Sequence, residues 1–282
     1  MVYEPMLFAT AFIAHMNTNR GTITDNEKIS CSVNADSETY VAFHAQAIAE
    51  PVLECEVTLE NGVNIIENVN LEGDVSPSYD DTQLRVTAFD NGKTYTATAT
   101  GKVSAGTFLC DAQFNVKAIV YDTENINEGK FHTARAMAVS EAESTTAWCN
   151  AETLPSSASK YITSSVMTDL RGYEVSNHFK GNADYAAINT ASNHPATLQG
   201  CSGWYLPSAG EWINFWNNLG GKNKINLLLR QAGANELTGT RYWTASLRGL
   251  TEPYAMIESN GSLSPIAQPL HSKNAVRASI IF

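Results

Sequence analysis

Six histidines, at 15, 44, 132, 178, 194 and 271, and five cysteines, at 31, 55, 110, 149 and 201, are the side chains best suited to metal or nucleophilic chemistry. Neither set is spaced for it. No C-x-x-C pair occurs and the histidines are scattered, whereas a structural zinc site draws its four ligands from short, regular spacings. His132 and His178 read as surface or hydrogen-bonded core histidines, because few titratable groups accompany them. The chain holds no G-x-S-x-G, no H-E-x-x-H and no phosphate-binding loop. The expectation is a protein with no enzyme activity, no metal and no cofactor. An odd number of cysteines leaves two readings for Cys149 and Cys201: a bridge in an oxidising compartment, or buried thiols that pack as small hydrophobes.

The densest pattern lies in the last 80 or so residues. Gly203-Trp204-Tyr205-Leu206-Pro207-Ser208 leads into a helix, Tyr242-Trp243-Thr244-Ala245-Ser246 follows, and Asn274-Ala275-Val276-Arg277-Ala278 opens the end of the chain. Ser208 and Glu211 form a capping box: the serine accepts a free backbone N–H and the glutamate reaches back. Trp212, Phe215, Trp216 and Leu219 then fall on one helical stripe, and Gly220-Gly221 ends it. Trp204, Tyr205, Tyr242 and Trp243 are expected in the core with Trp212 and Trp216, where large aromatics contribute most. Further helices are expected over 160–170, 183–191 and 225–232, and a strand over 114–121. Residues 246–272, between the aromatic pair and the terminal strand, carry almost no core pattern. A stiff frame holding an irregular surface segment is the build of a binding protein.

The first part of the chain differs in composition. Residues 1–120 hold 16 acidic and 6 basic side chains, residues 121–282 hold 13 and 12, and all five tryptophans lie in the second part. Two compositions argue for two domains, and the acidic first part, with no Lys/Arg cluster anywhere, argues against nucleic acid. Residues 27–105 read as short strands with period-two alternation: Ile29-Cys31-Val33, Tyr40-Ala42-His44 and Val52–Leu59. Asn61-Gly62 and Asn91-Gly92 mark hairpin turns, the second returning Leu84–Phe89 into the Thr-rich strand Lys93–Thr100. This spacing fits an all-β immunoglobulin-like sandwich. Residues 1–26 form an apolar lead-in, a strand or a short helix started by Pro5. Its run Met6–Met16 is short for a bilayer span and no basic residue precedes it, so no membrane insertion is expected. Either a leader has been removed or the protein reaches its site by another route, for example in a phage particle.

The ordered set GWYLPSAGEW (203–212), helix, YWTAS (242–246) and AVRAS (275–279) resembles the C-type-lectin-like domains of bacterial surface proteins, the group related to the formylglycine-generating-enzyme fold and common in Bacteroidetes fimbrial and adhesin-like proteins. Asp169-Leu170-Arg171-Gly172-Tyr173-Glu174 is similar to that group's D-x-x-G-x-x-N-T element, with Val175-Ser176 in place of Asn-Thr. The resemblance covers about residues 113–282 and implies a division into 1–26, a 27–105 immunoglobulin-like sandwich and a 106–282 α+β C-type-lectin-like domain. One branch comprises the variable proteins of diversity-generating retroelements, in which the segment before the terminal strand is diversified. Membership in it implies that Ala255, Ile257, Gly261 and Leu263 are scaffold. The outward ligand-binding positions are then Arg248, Leu250, Thr251, Glu252, Tyr254, Met256, Glu258, Ser259, Ser262, Ser264, Ile266 and Gln268. Tyr254 and Arg248 would be the anchors among small polar residues.

The related enzyme chemistry needs a C-terminal redox cysteine, and none follows Cys201. Calcium-dependent sugar binding needs six to eight converging oxygens. Glu252-Pro253 and Gln268-Pro269 are followed by Tyr254 and Leu270, which supply none. The expected function is a receptor-binding or adhesin protein at the extracellular cell surface or on a phage virion, contacting a protein or cell-surface ligand, and open to homo-oligomerisation. The alternative is a fimbrial or surface structural subunit with no diversified site.

Overall fold

A computed structural model describes residues 103–124, 126, 131 and 133–282, residues 57–59 and 61–66, and the backbone of the other strands named below. The chain divides into two compact units, Met1–Lys102 and Val103–Phe282. The fold is rich in β-structure, with antiparallel sheets and few helices.

The first unit contains β1 (Thr22–Ile23), β2 (Ile29–Asn34), β3 (Tyr40–Ala42), β4 (Val52–Leu59), β5 (Asn64–Asn70), β6 (Ser78–Asp80), β7 (Arg85–Thr87) and β8 (Thr94–Ala99). β4 and β5 form a hairpin with Thr58 opposite Asn64. Its turn needs Gly62 at φ +81°, and the Asn61 side chain accepts the Val63 N–H at 3.1 Å. The lead-in contributes β1, parallel to β4; the rest of 1–26, with His15, lies outside the described residues, as do His44, Asn91-Gly92 and His132. The expected β7–β8 hairpin is not formed. β8 pairs with β2 over six residues, from Ile29↔Ala99 to Asn34↔Thr94, and β7 pairs with β3 and β6. The long match aligns the alternating Ile29, Cys31 and Val33 with Ala99, Ala97 and Tyr95, a fuller ladder than three-residue β7 offers.

The second unit contains β9 (Phe108–Cys110), β10 (Val116–Asp122), β11 (Arg135–Ala138), α1 (Gly172–Phe179), α2 (Ala186–Ser192), α3 (Ala209–Asn218), α4 (Lys222–Gln231), β12 (Arg241–Leu247), β13 (Pro253–Ser259), β14 (Ser262–Ala267) and β15 (Ser279–Ile281). β9, β10, β11 and β15 lie side by side in that order, all antiparallel. β12, β13 and β14 form a second antiparallel sheet. Trp148, Trp212 and Trp243 are fully buried among these layers, and Trp204, Trp216, Tyr205 and Tyr242 are buried beside them. Cys149 and Cys201 are free thiols.

Helix α3 forms for the reasons legible in its sequence. The Glu211 N–H donates to Ser208 Oγ at 3.4 Å, and Glu211 Oε2 accepts the Ser208 N–H at 2.6 Å. Trp212, Phe215, Trp216 and Leu219 are buried. Gly220 and Gly221, at φ +80° and +82°, end the helix. Gly210 lets the helix start against the chain at Asp169: an added Cβ would sit 2.5 Å from the Asp169 carbonyl.

Glu211 is the centre of a buried polar cluster. Tyr205 OH donates to Glu211 Oε1 at 2.9 Å, and Arg135 Nε approaches the same oxygen at 3.3 Å. Arg135 Nη1 also donates to Asp122 at 3.0 Å, so one guanidinium ties β11, β10 and α3. Burial pushes the Glu211 carboxyl up to about 7, with Arg135 and the Ser208 donors opposing it.

The expected helix over 160–170 is replaced by two short 3-10 turns, Ser156–Tyr161 and Val166–Thr168, and α1 starts at Gly172, where that helix was to end. Ile162, Thr163, Val166 and Thr168 are β-branched and disfavour helix. Asp169 instead accepts Ser246 Oγ–H at 2.7 Å and Arg171 Nε–H at 2.8 Å. Tertiary bonds thus hold this segment irregular.

Candidate functional site

The hairpin β13–β14 decides which positions of 246–272 face out. Its tip is Asn260-Gly261, at φ +53° and +78°, as a type I′ two-residue turn requires. Ser259 therefore pairs Ser262, Glu258 pairs Leu263, Met256 pairs Pro265 and Tyr254 pairs Ala267. Residues directly opposite share a face, so even numbers on β13 share a face with odd numbers on β14.

One face meets α3. Trp212, Trp216, Tyr242, Glu258 and Leu263 surround a common gap, and the Trp212 and Tyr242 rings lie 4.7 Å apart. Met256, opposite both Tyr242 and Pro265, is fully buried on this side. The expectation that it points outward is corrected: the set of even positions on both strands is split by the two-residue turn, which sends Tyr254, Met256 and Glu258 towards the helix. Glu258 pairs with Lys222 Nζ at 3.3 Å and accepts the Gly261 N–H, which with Lys222 holds its carboxyl below the usual range. Tyr254 is half-buried on the same side, so it does not share a face with Ser264.

The opposite face carries Ser262, Ser264 and Ile266, all exposed, with Gln268 continuing the row. The row runs roughly 20 Å at about 3.3 Å per residue. At its far end the β12–β13 loop turns tightly, with the Arg248 N–H donating to the Glu252 carbonyl at 3.0 Å. Arg248 and Thr251 are exposed, and Leu250 and Glu252 are half-buried. Arg248 Nη1 lies 3.4 Å from Glu252 Oε2, an exposed pair worth about 0–1 kcal/mol. Ser259 is exposed at the tip. Eleven of the twelve expected positions thus have solvent access, in two groups rather than one. Of the four scaffold positions, Ala255 and Leu263 are buried, Gly261 occupies the turn and Ile257 is half-buried. Ile257 lies opposite exposed Arg241 and Ser264 on the outer face. Ile257 and Arg241 therefore belong to the surface, and Asn260-Gly261 was the signal that placed them there.

A second polar cluster steadies the other side of β12. Glu141 accepts Tyr242 OH at 2.5 Å, Arg277 Nη2–H at 2.8 Å and Thr238 Oγ1–H at 3.2 Å. Burial pushes its carboxyl up, but the Arg277 charge and the Tyr242 hydroxyl together outweigh that and hold it below 4.5. A depressed folded value stabilises the protein above the unfolded pKa, and that stability is lost as pH falls through the folded one. Urea unfolding followed between about pH 5 and 3 should show stability falling in the wild type and a flatter profile for Glu141→Gln. Parallel profiles would refute the assignment.

The outer face is chemically quiet: hydroxyls, one amide, two aliphatics and one arginine. Nothing in it is poised for proton transfer or nucleophilic attack. Among the described residues no group of three His, Cys, Asp or Glu converges to hold a metal ion, and no helix is long and apolar enough to cross a membrane. His178 is exposed, against the Tyr161 and Phe179 rings.

No protein-family model and no curated protein matches the chain. Among solved structures the chain is similar to a fimbrial protein from Bacteroides ovatus ATCC 8483, at 14% identity and a TM-score of 0.48, over 73% of this chain and 61% of that one. The likeness thus spans less than two thirds of the fimbrial protein's length.

Proposed function

We propose that the protein is a ligand-binding, adhesin-type surface protein, built as an immunoglobulin-like domain followed by a C-type-lectin-like domain whose C-terminal hairpin displays a variable surface diversified by a retroelement. The binding positions are Arg248, Leu250, Thr251 and Glu252 of the loop with Ser259, Ser262, Ser264, Ile266 and Gln268 of the outer row, joined by Ile257 and Arg241. Tyr254 and Glu258 border it from the helix side. The ligand is a protein or cell-surface molecule, met at the cell surface or on a phage virion. One observation carries the reading. From Tyr242 to Leu247 β12 is buried, while adjoining loop and outer-row side chains stand in solvent. Such a frame accepts changes at the rim without loss of packing.

Sequencing the gene from many independent isolates tests it. Substitutions should concentrate at the outward positions and spare Trp243, Ala255 and Met256, beside a reverse transcriptase and a near-copy of the 3′ end. Substitutions spread evenly along the chain would leave the fimbrial or structural-subunit reading in its place.

A further inference from the structure

A cavity of about 530 Å³, sharing no lining residue with the outer row, lies between the β9–β10 turn, the end of β11 and the segment after α2. Its volume falls within the roughly 300–1,000 Å³ typical of small-molecule sites. Its walls are fixed. Trp204 Nε1–H donates to the Ala196 carbonyl at 2.6 Å, and the His194 ring packs 4.2 Å from the Trp204 ring. His194 Nδ1 accepts the Ala196 N–H at 3.3 Å, so Nε2 carries the proton and donates to Ser140 Oγ at 2.9 Å.

That tautomer decides against catalysis. A general base would need a bare Nε2 facing the serine, and here the nitrogen facing Ser140 is the donor. The charges of the cavity are also spent. Asp111 accepts the Gln113 and Asn115 N–H groups at 2.9 and 3.0 Å and pairs with Lys117 Nζ at 3.2 Å. Burial, with Arg277 and Lys117 nearby, pushes His194 down to about 4, so it is neutral at physiological pH. A charged ligand would be desolvated against a wall with no net charge to receive it. What remains are the side-chain amides of Gln113 and Gln199 and the hydroxyls of Ser140 and Thr197. The two amides and Thr197 make no side-chain hydrogen bond among the described residues. Each amide offers a donor and an acceptor side by side, and Pro195 adds an apolar wall. That combination matches vicinal hydroxyls on a ring with C–H faces.

We propose that this cavity binds a neutral polyhydroxylated ligand of one or two sugar rings, held by Gln113, Gln199, Ser140 and Thr197. It acts independently of the hairpin surface.

Saturation-transfer NMR on the full chain would test this with four probes sharing one ring: glucose and N-acetylglucosamine, which are neutral, glucosamine, which is cationic, and glucuronate, which is anionic. The neutral sugars should bind, shift the His194 ring signals, and exceed both charged analogues in affinity by about tenfold, on the order of 1.4 kcal/mol. Gln113→Ala/Gln199→Ala, at exposed positions, should keep the fold and weaken neutral-sugar binding at least about tenfold. Thr197→Val gives a second, independent loss. Failure of both neutral sugars to bind, tighter binding of a charged analogue, or binding untouched by the double variant would each overturn the proposal. Arg248→Ala should leave sugar binding unchanged, and its loss there would overturn the independence of the two sites.

Discussion

Glu211→Ala is expected to lower the stability of the Val103–Phe282 unit by about 3–5 kcal/mol, because it strips the partner from a buried guanidinium. Arg135 and Glu211 are both buried. The same change removes the acceptor for the Ser208 N–H and for Tyr205 OH. With total stabilities commonly about 5–15 kcal/mol, the loss is a large share. All five tryptophans belong to this unit, so tryptophan fluorescence in urea reports it without signal from the other. Glu211→Gln keeps one oxygen acceptor, enough for Tyr205 OH or for the Ser208 N–H but not for both, and should lose less than alanine does. The pH profile supplies a second readout. The carboxyl is raised from 4.5 to about 7 in the fold, so its contribution is complete below pH 4.5 and declines as pH rises through the folded value. The wild type should therefore lose on the order of 1–3 kcal/mol across that window, and Glu211→Gln should flatten it. An alanine variant within about 1 kcal/mol of wild type would show that Arg135 is satisfied without Glu211.

Met256→Ala and Ile266→Ala should separate by several-fold in their effect on stability, although both residues look equally apolar in sequence. Met256 is fully buried on the helix side of the sheet, and its truncation should cost about 2–5 kcal/mol. Ile266 is 36% exposed on the outer row of β14, and its truncation should stay near 0.5 kcal/mol. Met256→Asp should prevent folding, while Ser264→Asp should be tolerated. The reverse ranking would mean that the outer and inner rows are exchanged.

The parts of this fold that were legible in sequence are those set by local chemistry. The capping box at Ser208-Glu211, the aromatic stripe of α3, the glycine stop at 220–221 and the Asn61-Gly62 turn each follow from a few neighbouring residues. What was not legible depends on distant partners. Residues 160–170 have a helix-like polarity, yet Asp169 is claimed by Ser246 and Arg171. β8 finds β2 rather than β7. The Glu211–Arg135–Asp122 cluster joins residues 76 and 89 positions away from the glutamate, and no spacing announces it. The outward surface was half legible: polarity marked Ser262, Ser264 and Gln268, but alternation carried past the turn without counting its residues misplaced Met256, Tyr254 and Glu258 and omitted Ile257.

The two-residue tip at Asn260-Gly261 has a consequence for how this segment can change over time. Because successive side chains turn to opposite faces of the sheet, one inserted or deleted codon near the tip would trade the rows, burying serines and exposing Met256. Substitution leaves the alternation intact. Novelty in this hairpin is therefore confined to exchanging letters in a word of fixed length.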